Sequence, residues 1–570
     1  MERSALRPGF SIAPHPLLQT LSRDAGRASQ VADALWRCDP AGWTTDSVVR
    51  EKIANRLGWL TSPPLMAASL DRLRATADDV RQNGFTDVVL LGMGGSSLAP
   101  EVLRAVIGVA PGSPRLHMLD ATDPAAIKAV STVPAHTIYI LASKSGTTIE
   151  PNSLAAHFRF VLEAAGISNW GEHFIAITDP GTELATLART ERFRHIFINP
   201  GDIGGRYSAL SFFGLVPAAL MGQDVAAILN WGRAMLEEAQ APGEVATNPA
   251  VGLGLLMATA AKAGRDKLTL ILPPSLEEFG LWVEQLVAES TGKRGVGIVP
   301  IAGETFGTPD KYREDRLFVR LRTTAEKDEA ARDAAVALLT DAPLATIAFE
   351  EPAALGAEFM RWEIATAVAG GLLEINPFDE PNVQQAKDAT RGLLDRYEID
   401  RRLPTGPTDA TSDDGVTLTL TTAARSRLGR HGADNILTLL GAGDYLALLA
   451  FLGPDPELAG VLRAFRMTVR DSTRSATMFG YGPRYLHSTG QLHKGGPNSG
   501  VFVLITANAS EDIAIPDKSF SFGTLELAQG LGDFASLEAT SRRGIHVHLP
   551  SPDPRRLERT LARFTQALPH

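Results

Sequence analysis

Short unbroken apolar runs alternating with helix-length segments constrain this chain more than any other feature. "TDVVLLG" leads into "SSLAPEVLRAVIG", "RLHMLDA" into "PAAIKAV", "HTIYILA" into "PNSLAAHFRFVLEAAG" and "HFIAIT" into "TELATLAR". A strand that is apolar at every position is covered on both faces, and the intervening helices supply the cover. The pattern therefore predicts α/β architecture with parallel sheets. The alternation resumes after the Pro/Gly-containing stretch "QAPGEVATNPA" with "DKLTLILPP", "RLFVRLR" and "PLATIAFEE". A polar, threonine-rich linker at 402–415 opens a last part, with helices expected around 433–470 and strands at "SATMFGYG", "GVFVLIT" and "GIHVHL". The resulting division is a helical lead-in over 1–70, α/β units over 71–240 and 241–401, and an α/β C-terminal part over 402–570. The lead-in reading rests on segments such as "TDSVVREKIANRLGWL".

Bulk properties narrow the function. A net charge of −10 argues against a nucleic-acid or anionic-membrane partner, because those need a cationic surface. The single cysteine, Cys38, leaves no internal disulfide framework and fits a reducing cytoplasm. The first residues lack the apolar core of a signal peptide, and no run approaches the ~20 apolar residues of a membrane span. A cytoplasmic, soluble chain is expected.

Two turns suit an anion. In "LLGMGGSSLAP" a strand ends at Gly92, Gly94 and Gly95 allow close backbone approach, and Ser96 and Ser97 open a helix with unpaired amides. A dinucleotide fingerprint would need glycine where Ser97 stands, although Asp120 mimics a ribose-binding acid; glycines serving only a tight connection also fit. "ILASKSGTTIEP" repeats the device with Ser143, Lys144, Ser145, Thr147 and Thr148 in six residues. Helix capping and a hydroxyl turn account for some of these groups but not all. Two such turns in one sheet favour a phosphorylated ligand at its carboxyl edge.

Other segments supply chemistry. Arg206 in "GGRYS" follows two glycines and suits oxyanion stabilisation or an ion pair. In "SLEEFGLWVEQLVAESTGKRG", Ser275 and Glu278 have capping-box spacing, and Phe279, Trp282, Val283, Leu286 and Val287 form a helical apolar stripe. Glu289 projects from that buried face near the helix end, where desolvation and the helix dipole raise a carboxyl pKa. That suits a general base; the alternative is a stripe-edge glutamate paired with Lys293 or Arg294. In "INPFDEPNVQQAK", Lys387 shares a face with Val383 and Leu394, pointing inward or snorkelling to water. In "YLHSTGQLHKGG", His487 and His493 have poor metal spacing, so His487 is an acid/base candidate or a surface histidine, and no metal is expected.

The ordered pieces "GMGGSSLAP", "SKSGTTIEP", "GGRYS", "ESTGK", "NPFDEPNVQQAK" and "LHSTGQ" together resemble the glucose-6-phosphate isomerase family. The closer likeness is to the isomerase half of bifunctional transaldolase/glucose-6-phosphate isomerase proteins, from "RLGWL" over most of the chain. No complete transaldolase domain is recognisable. The resemblance implies two sugar-isomerase (SIS) three-layer αβα sandwich domains with parallel sheets, plus the C-terminal α/β part. It implies a homodimer, no cofactor and a small sugar phosphate as substrate. Carried over by motif, Gly95 and Ser96 contact the substrate, and Ser143, Lys144, Ser145 and Thr148 hold its phosphate. Glu289 matches the base that moves a proton between C2 and C1, and Arg206 the residue stabilising the cis-enediolate. Lys387 and His487 match the pair that opens the sugar ring. Three departures stand out. Glu380 replaces the family's glutamine beside the substrate, "SKSGTT" replaces "SKTFTT", and the histidine motif follows both the glutamate and lysine motifs. A rearranged topology or a partner subunit must then deliver His487. Competing readings are a non-catalytic sugar-phosphate sensor, an NAD-linked oxidoreductase, and an isomerase that also accepts mannose 6-phosphate.

Overall fold

The apolar runs become strands because each feeds side chains to both faces of a sheet, and the computed structural model shows three such sheets among the described residues. It describes residues 9–323, 326, 328–404 and 406–568; residues 1–8 of the lead-in and 405 of the linker lie outside these. The strands are β1 (Phe10–Ile12), β2 (Asp87–Gly92), β3 (Arg115–Leu119), β4 (Thr137–Ala142), β5 (Phe174–Thr178), β6 (His195–Ile198), β7 (Lys267–Ile271) and β8 (Val299–Ile301). They continue with β9 (Arg316–Arg322), β10 (Leu344–Ala348), β11 (Ala410–Thr411), β12 (Thr417–Leu420), β13 (Tyr445–Phe451), β14 (Ala476–Tyr481), β15 (Gly500–Ala507) and β16 (Arg543–Leu549).

The first sheet has the order β3-β2-β4-β5-β6 and is parallel throughout. The second runs β1-β10-β9-β7-β8, parallel except for β1, which lies antiparallel on β10 with Ser11 opposite Thr346. The third runs β11-β12-β16-β15-β13-β14. Its last four strands are parallel, and an antiparallel β11–β12 ribbon caps the β16 edge. No helix among the described residues is long and apolar enough to cross a membrane.

Three local readings change. The lead-in is helical over Leu18–Trp36 but also supplies β1 to the second sheet. The helices expected around 433–470 are interrupted by β13. "YLALLAF" is a short apolar run whose leucines and alanines suit a helix, and pairing with β14 and β15 decides for strand. Ser275 does not cap the helix Glu277–Thr291, whose N-cap is Leu276 without a side-chain bond; its amide donates instead to Glu326 Oε1.

Packing locks the sheets together. One continuous apolar core runs from the first sheet to the second and includes Trp59, Phe279, Trp282, Phe359 and Trp362. The third sheet has its own core on one face, while the other packs on Ala288, Val299 and Ile301. The helix Phe522–Ala539 sends Phe522, Leu525 and Ala528 into the outer cluster of the first sheet. The third unit is thus wedged against both others, which places the loop after β14 between them.

A buried polar joint reinforces this wedge. Arg316 Nη1 donates to Glu304 Oε2 at 2.9 Å, and Glu304 Oε1 accepts from the Thr477 amide at 3.1 Å and hydroxyl at 2.8 Å. Burial alone would raise the Glu304 carboxyl, but Arg316 and Arg466 hold it below its ordinary value. Removing one partner strands the other charge in the interior. Glu304→Leu is therefore expected to cost ~3 kcal/mol or more, seen as a clear drop in the urea or thermal midpoint. An unchanged midpoint would refute this role for the joint.

Candidate active site

The hydroxyl-rich turn sits at the carboxyl end of β4 and feeds the helix Ile149–Ala164. Its shape depends on Gly146, whose φ of +72° suits glycine and whose amide donates to Ser143 Oγ at 3.1 Å. Ser143 and Thr148 share a hydrogen bond of 3.1 Å, and Ser145 Oγ accepts from the Thr147 amide and hydroxyl at 3.3 and 3.1 Å. Ser145, Thr147 and Thr148 line a cavity of about 440 Å³ together with Glu150, Lys387, His487 and Gln529. Lys387, on the helix Val383–Asp400, lines this space from an exposed position, so its ammonium reaches both the cavity and water. Lys144 turns away from this space. Its ammonium pairs with Asp179 and donates to the Gly201 carbonyl at 3.2 Å, so it does not line the cavity.

The neighbouring glycine turn works by backbone approach. A Cβ on Gly95 would lie 1.9 Å from the Gly205 carbonyl oxygen, and one on Gly94 2.6 Å from that of His487. Only glycine allows the turns at 94–96 and 204–207 and the histidine loop to meet. Ser96 is buried beside them. Asp120, the acid a ribose would need, accepts from Ser97 Oγ at 3.1 Å and pairs with Arg484 at 2.7 Å. This ties it up against the dinucleotide reading.

Arg206 is 4% exposed and its guanidinium is fully engaged. Nε donates to Ser290 Oγ at 2.8 Å, and Nη2 to the carbonyls of Pro377 and Asp379, each at 2.8 Å. Nη1 lies 3.0 Å from Glu380 Oε2 and 3.2 Å from Glu289 Oε1. The surface ion pair considered for Arg206 is thus replaced by a buried hub joining three sequence motifs. Glu380, about half exposed, closes its outer side.

Glu289 is 8% exposed, on the inward face of the helix Glu277–Thr291 as its spacing predicts. Burial pushes its carboxyl above the ordinary value, opposed by Arg206 and Lys293 and assisted by the like charge of Glu380. Lys293 is not its direct partner: that ammonium donates to the Asn376 carbonyl at 2.6 Å and pairs with Asp379 at 2.8 Å. Burial brings Lys293 down to about 8.

His487 arrives from the same chain, in the short turn Arg484–His487 after β14. Its Nε2 lies 3.0 Å from Glu150 Oε1, which also accepts from Gln529 Nε2 at 2.7 Å. Thr122 donates to Gln529 Oε1 at 2.8 Å, which fixes the amide orientation. Burial alone would raise Glu150, but His487 and Lys387 hold it below its ordinary value. Gln285 joins the two halves of the site, donating to Glu289 Oε2 at 3.3 Å and to the His487 carbonyl at 2.7 Å. Gln491 donates to the Gly292 carbonyl and to Asn382 Oδ1, so the last motif is stitched to the two before it.

Glu150, Gln285, Gln491 and Gln529 were not singled out from the sequence. Glu150 stands inside the quoted hydroxyl turn, and Gln285 one helical turn before Glu289. Gln529 carries no local signal, because its partner is 379 residues away.

Comparisons with known proteins bear on the family of the chain. The phosphoglucose isomerase family model matches residues 69–302. A glucose-6-phosphate isomerase of Rubrobacter xylanophilus is 31% identical over 385 residues, 58% of this chain and 88% of that relative. One from Nostoc punctiforme is 28% identical over 401 residues, 59% of this chain and 74% of that protein. A hypothetical protein of Thermus thermophilus superposes with a TM-score of 0.56 at 26% identity, covering 67% of this chain and 99% of that one. A Chlamydia trachomatis glucose-6-phosphate isomerase superposes with the same TM-score at 20% identity, over 68% of this chain and 89% of its own, a likeness of fold. The two parallel-sheet units and the inward glutamate beside a buried arginine define a sugar-isomerase-type α/β protein. The chain belongs to the phosphoglucose isomerase family.

The raised Glu289 carboxyl has a consequence for stability. Below the ordinary carboxyl value of 4.5 both folded and unfolded forms are protonated and the group contributes nothing. As pH rises past it, the unfolded chain ionises first and stability is lost up to the folded value. An amide imitates the neutral acid, so Glu289→Gln should raise the melting temperature in neutral buffer, with the gain vanishing in acid. A loss at neutral pH, or a gain that grows in acid, would contradict the desolvated carboxyl.

Proposed function

We propose that this chain interconverts D-glucose 6-phosphate and D-fructose 6-phosphate by acid–base proton transfer through a cis-enediolate. The observation that carries the reading is Glu289, buried against Arg206 and joined through Gln285 to His487 at the wall of the hydroxyl-lined cavity.

Each part has a task. Ser145, Thr147 and Thr148, with the first amides of the helix behind them, hold the phosphate; Ser143 shapes their turn, and Gly95 and Ser96 contact the substrate from the neighbouring turn. Lys387 and His487 open the ring. One group removes the proton of the C1 hydroxyl while the other protonates the ring oxygen, and Glu150 and Gln529 orient the imidazole. Glu289 then takes the proton from C2 of the open aldose, and the protonated carboxyl, which exchanges with water, delivers a proton to C1. The two oxygens exchange hydroxyl and carbonyl character through the enediolate. Arg206 holds fixed positive charge beside the developing oxyanion without further reorganisation. Burial, assisted by Glu380 on the same guanidinium nitrogen, holds the Glu289 carboxyl above its ordinary value, which suits it to accept a proton.

The reading extends to a homodimer; the net charge of −10 and the single Cys38 support only action in the cytoplasm on small sugar phosphates rather than nucleic acid. A non-catalytic sensor is less favoured, because it has no use for a desolvated carboxylate. The test is a coupled assay on fructose 6-phosphate. Glu289→Gln should lower turnover by ~10² or more with little change in KM. Undiminished turnover in that variant would remove the mechanism.

A further inference from the structure

We infer that Lys518, in the loop joining β15 to the helix Phe522–Ala539, supplies the cation that meets the substrate's phosphate. The inference rests on the sugar-phosphate reading above and assigns the charge that Lys144 is not placed to give. Three hydroxyls and a helix start bring no formal charge to a dianion, and Lys144 is held by Asp179 and the Gly201 carbonyl. A cation elsewhere on the cavity wall would add a charge-assisted contact that hydroxyls and amides do not supply.

Three cationic side chains line that wall: Lys387, Arg391 and Lys518. Lys387 is taken by ring opening, and Arg391 sits 3.9 Å from Asp388 on an exposed helix surface. Lys518 Nζ has no ion-pair or hydrogen-bond partner among the described residues. Its position relative to the hydroxyl turn is fixed from two sides. Pro516 and Asp517 line one cavity with Gly146 and Asn152, while Lys518 lines the other with Ser145, Thr147 and Thr148. The 516–518 segment therefore faces the phosphate turn across two shared cavities.

The segment is built to hold this place. The Lys518 amide donates to the Ile515 carbonyl at 3.2 Å, closing a turn with Pro516 second and Asp517 third. Asp517 has φ +60°, the left-handed geometry a type II turn requires at that position and one that a non-glycine residue adopts only under constraint. The constraint is visible: Ile515 and Phe520, on either side, are buried in the apolar cluster with Leu154 and Phe158 of the helix that starts at the phosphate turn. The third unit thus pins both ends of the loop to the first, with Lys518 exposed at its tip.

The test compares wild type with Lys518→Met, Lys518→Arg and Lys144→Met. Calorimetry with inorganic phosphate reads anion binding without any turnover, and the coupled assay with fructose 6-phosphate reads kcat and KM. Lys518→Met should weaken phosphate binding and raise KM in parallel, each by about tenfold, the usual worth of a charge-assisted contact. kcat and the melting temperature should stay near wild type, Lys518→Arg should recover most of the loss, and Lys144→Met should leave phosphate binding intact. Unchanged phosphate affinity in Lys518→Met, or a loss confined to Lys144→Met, would overturn the inference while leaving the isomerase reading standing. Absence of wild-type turnover would sink that reading instead, with the phosphate titration still deciding the role of Lys518.

Discussion

A guanidinium with almost no access to water must have its N–H groups met by protein, and that requirement at Arg206 organises the site. Its nitrogens reach Ser290, Glu289, Glu380 and the carbonyls of Pro377 and Asp379. These come from a helix end and a proline-stiffened loop some 80 to 170 residues further on, and the arginine turn itself lies backbone to backbone against Gly95. Leaving any one donor unmet would cost about 1–3 kcal/mol, so the segments have little freedom to drift apart. Buried charge of this kind adds little net stability. What it secures is geometry: a carboxyl out of water, beside a cation, with its proton affinity raised by burial and only assisted by a neighbouring carboxylate.

The third sheet completes what the first two begin. Its loop after β14 carries His487, and the anchoring is deep. Tyr485 donates to Asp533 Oδ2 at 2.6 Å, and Lys494 pairs with Asp533 Oδ1 at 2.5 Å. Gln491 fastens the same loop to Gly292 and Asn382. The helix that carries Asp533 also carries Gln529, which orients Glu150. One helix of the last unit therefore controls both members of the Glu150–His487 pair. A histidine that follows the lysine motif in sequence reaches the site within the chain.

Much of this was legible beforehand, for identifiable reasons. The runs "VVLLG" and "IYILA" carry no charged side chain, and a covered parallel sheet accommodates that. Glu289 could be placed because it shares a helical face with Trp282 and Leu286, and a face pattern says which way a side chain points. Lys144 could not, because its direction depends on Asp179, whose approach is a matter of loop geometry. β13 was hidden by its leucines and alanines, and β1 by being three residues long with its partner more than 300 residues away. Gln529 and Gln491 are ordinary helix residues until the third unit docks. Tertiary contact, rather than propensity, assigns them.

The account turns on a carboxyl that removes and returns a carbon-bound proton, and hydrogen exchange reports that event directly. Fructose 6-phosphate incubated with the protein in heavy water should acquire deuterium at C1, and the glucose 6-phosphate formed should carry it at C2, both followed by NMR. Glu289→Gln should abolish exchange at both carbons while still binding the sugar phosphate. Isomerisation without any label from solvent at either carbon, or full exchange in the Glu289→Gln protein, would contradict it.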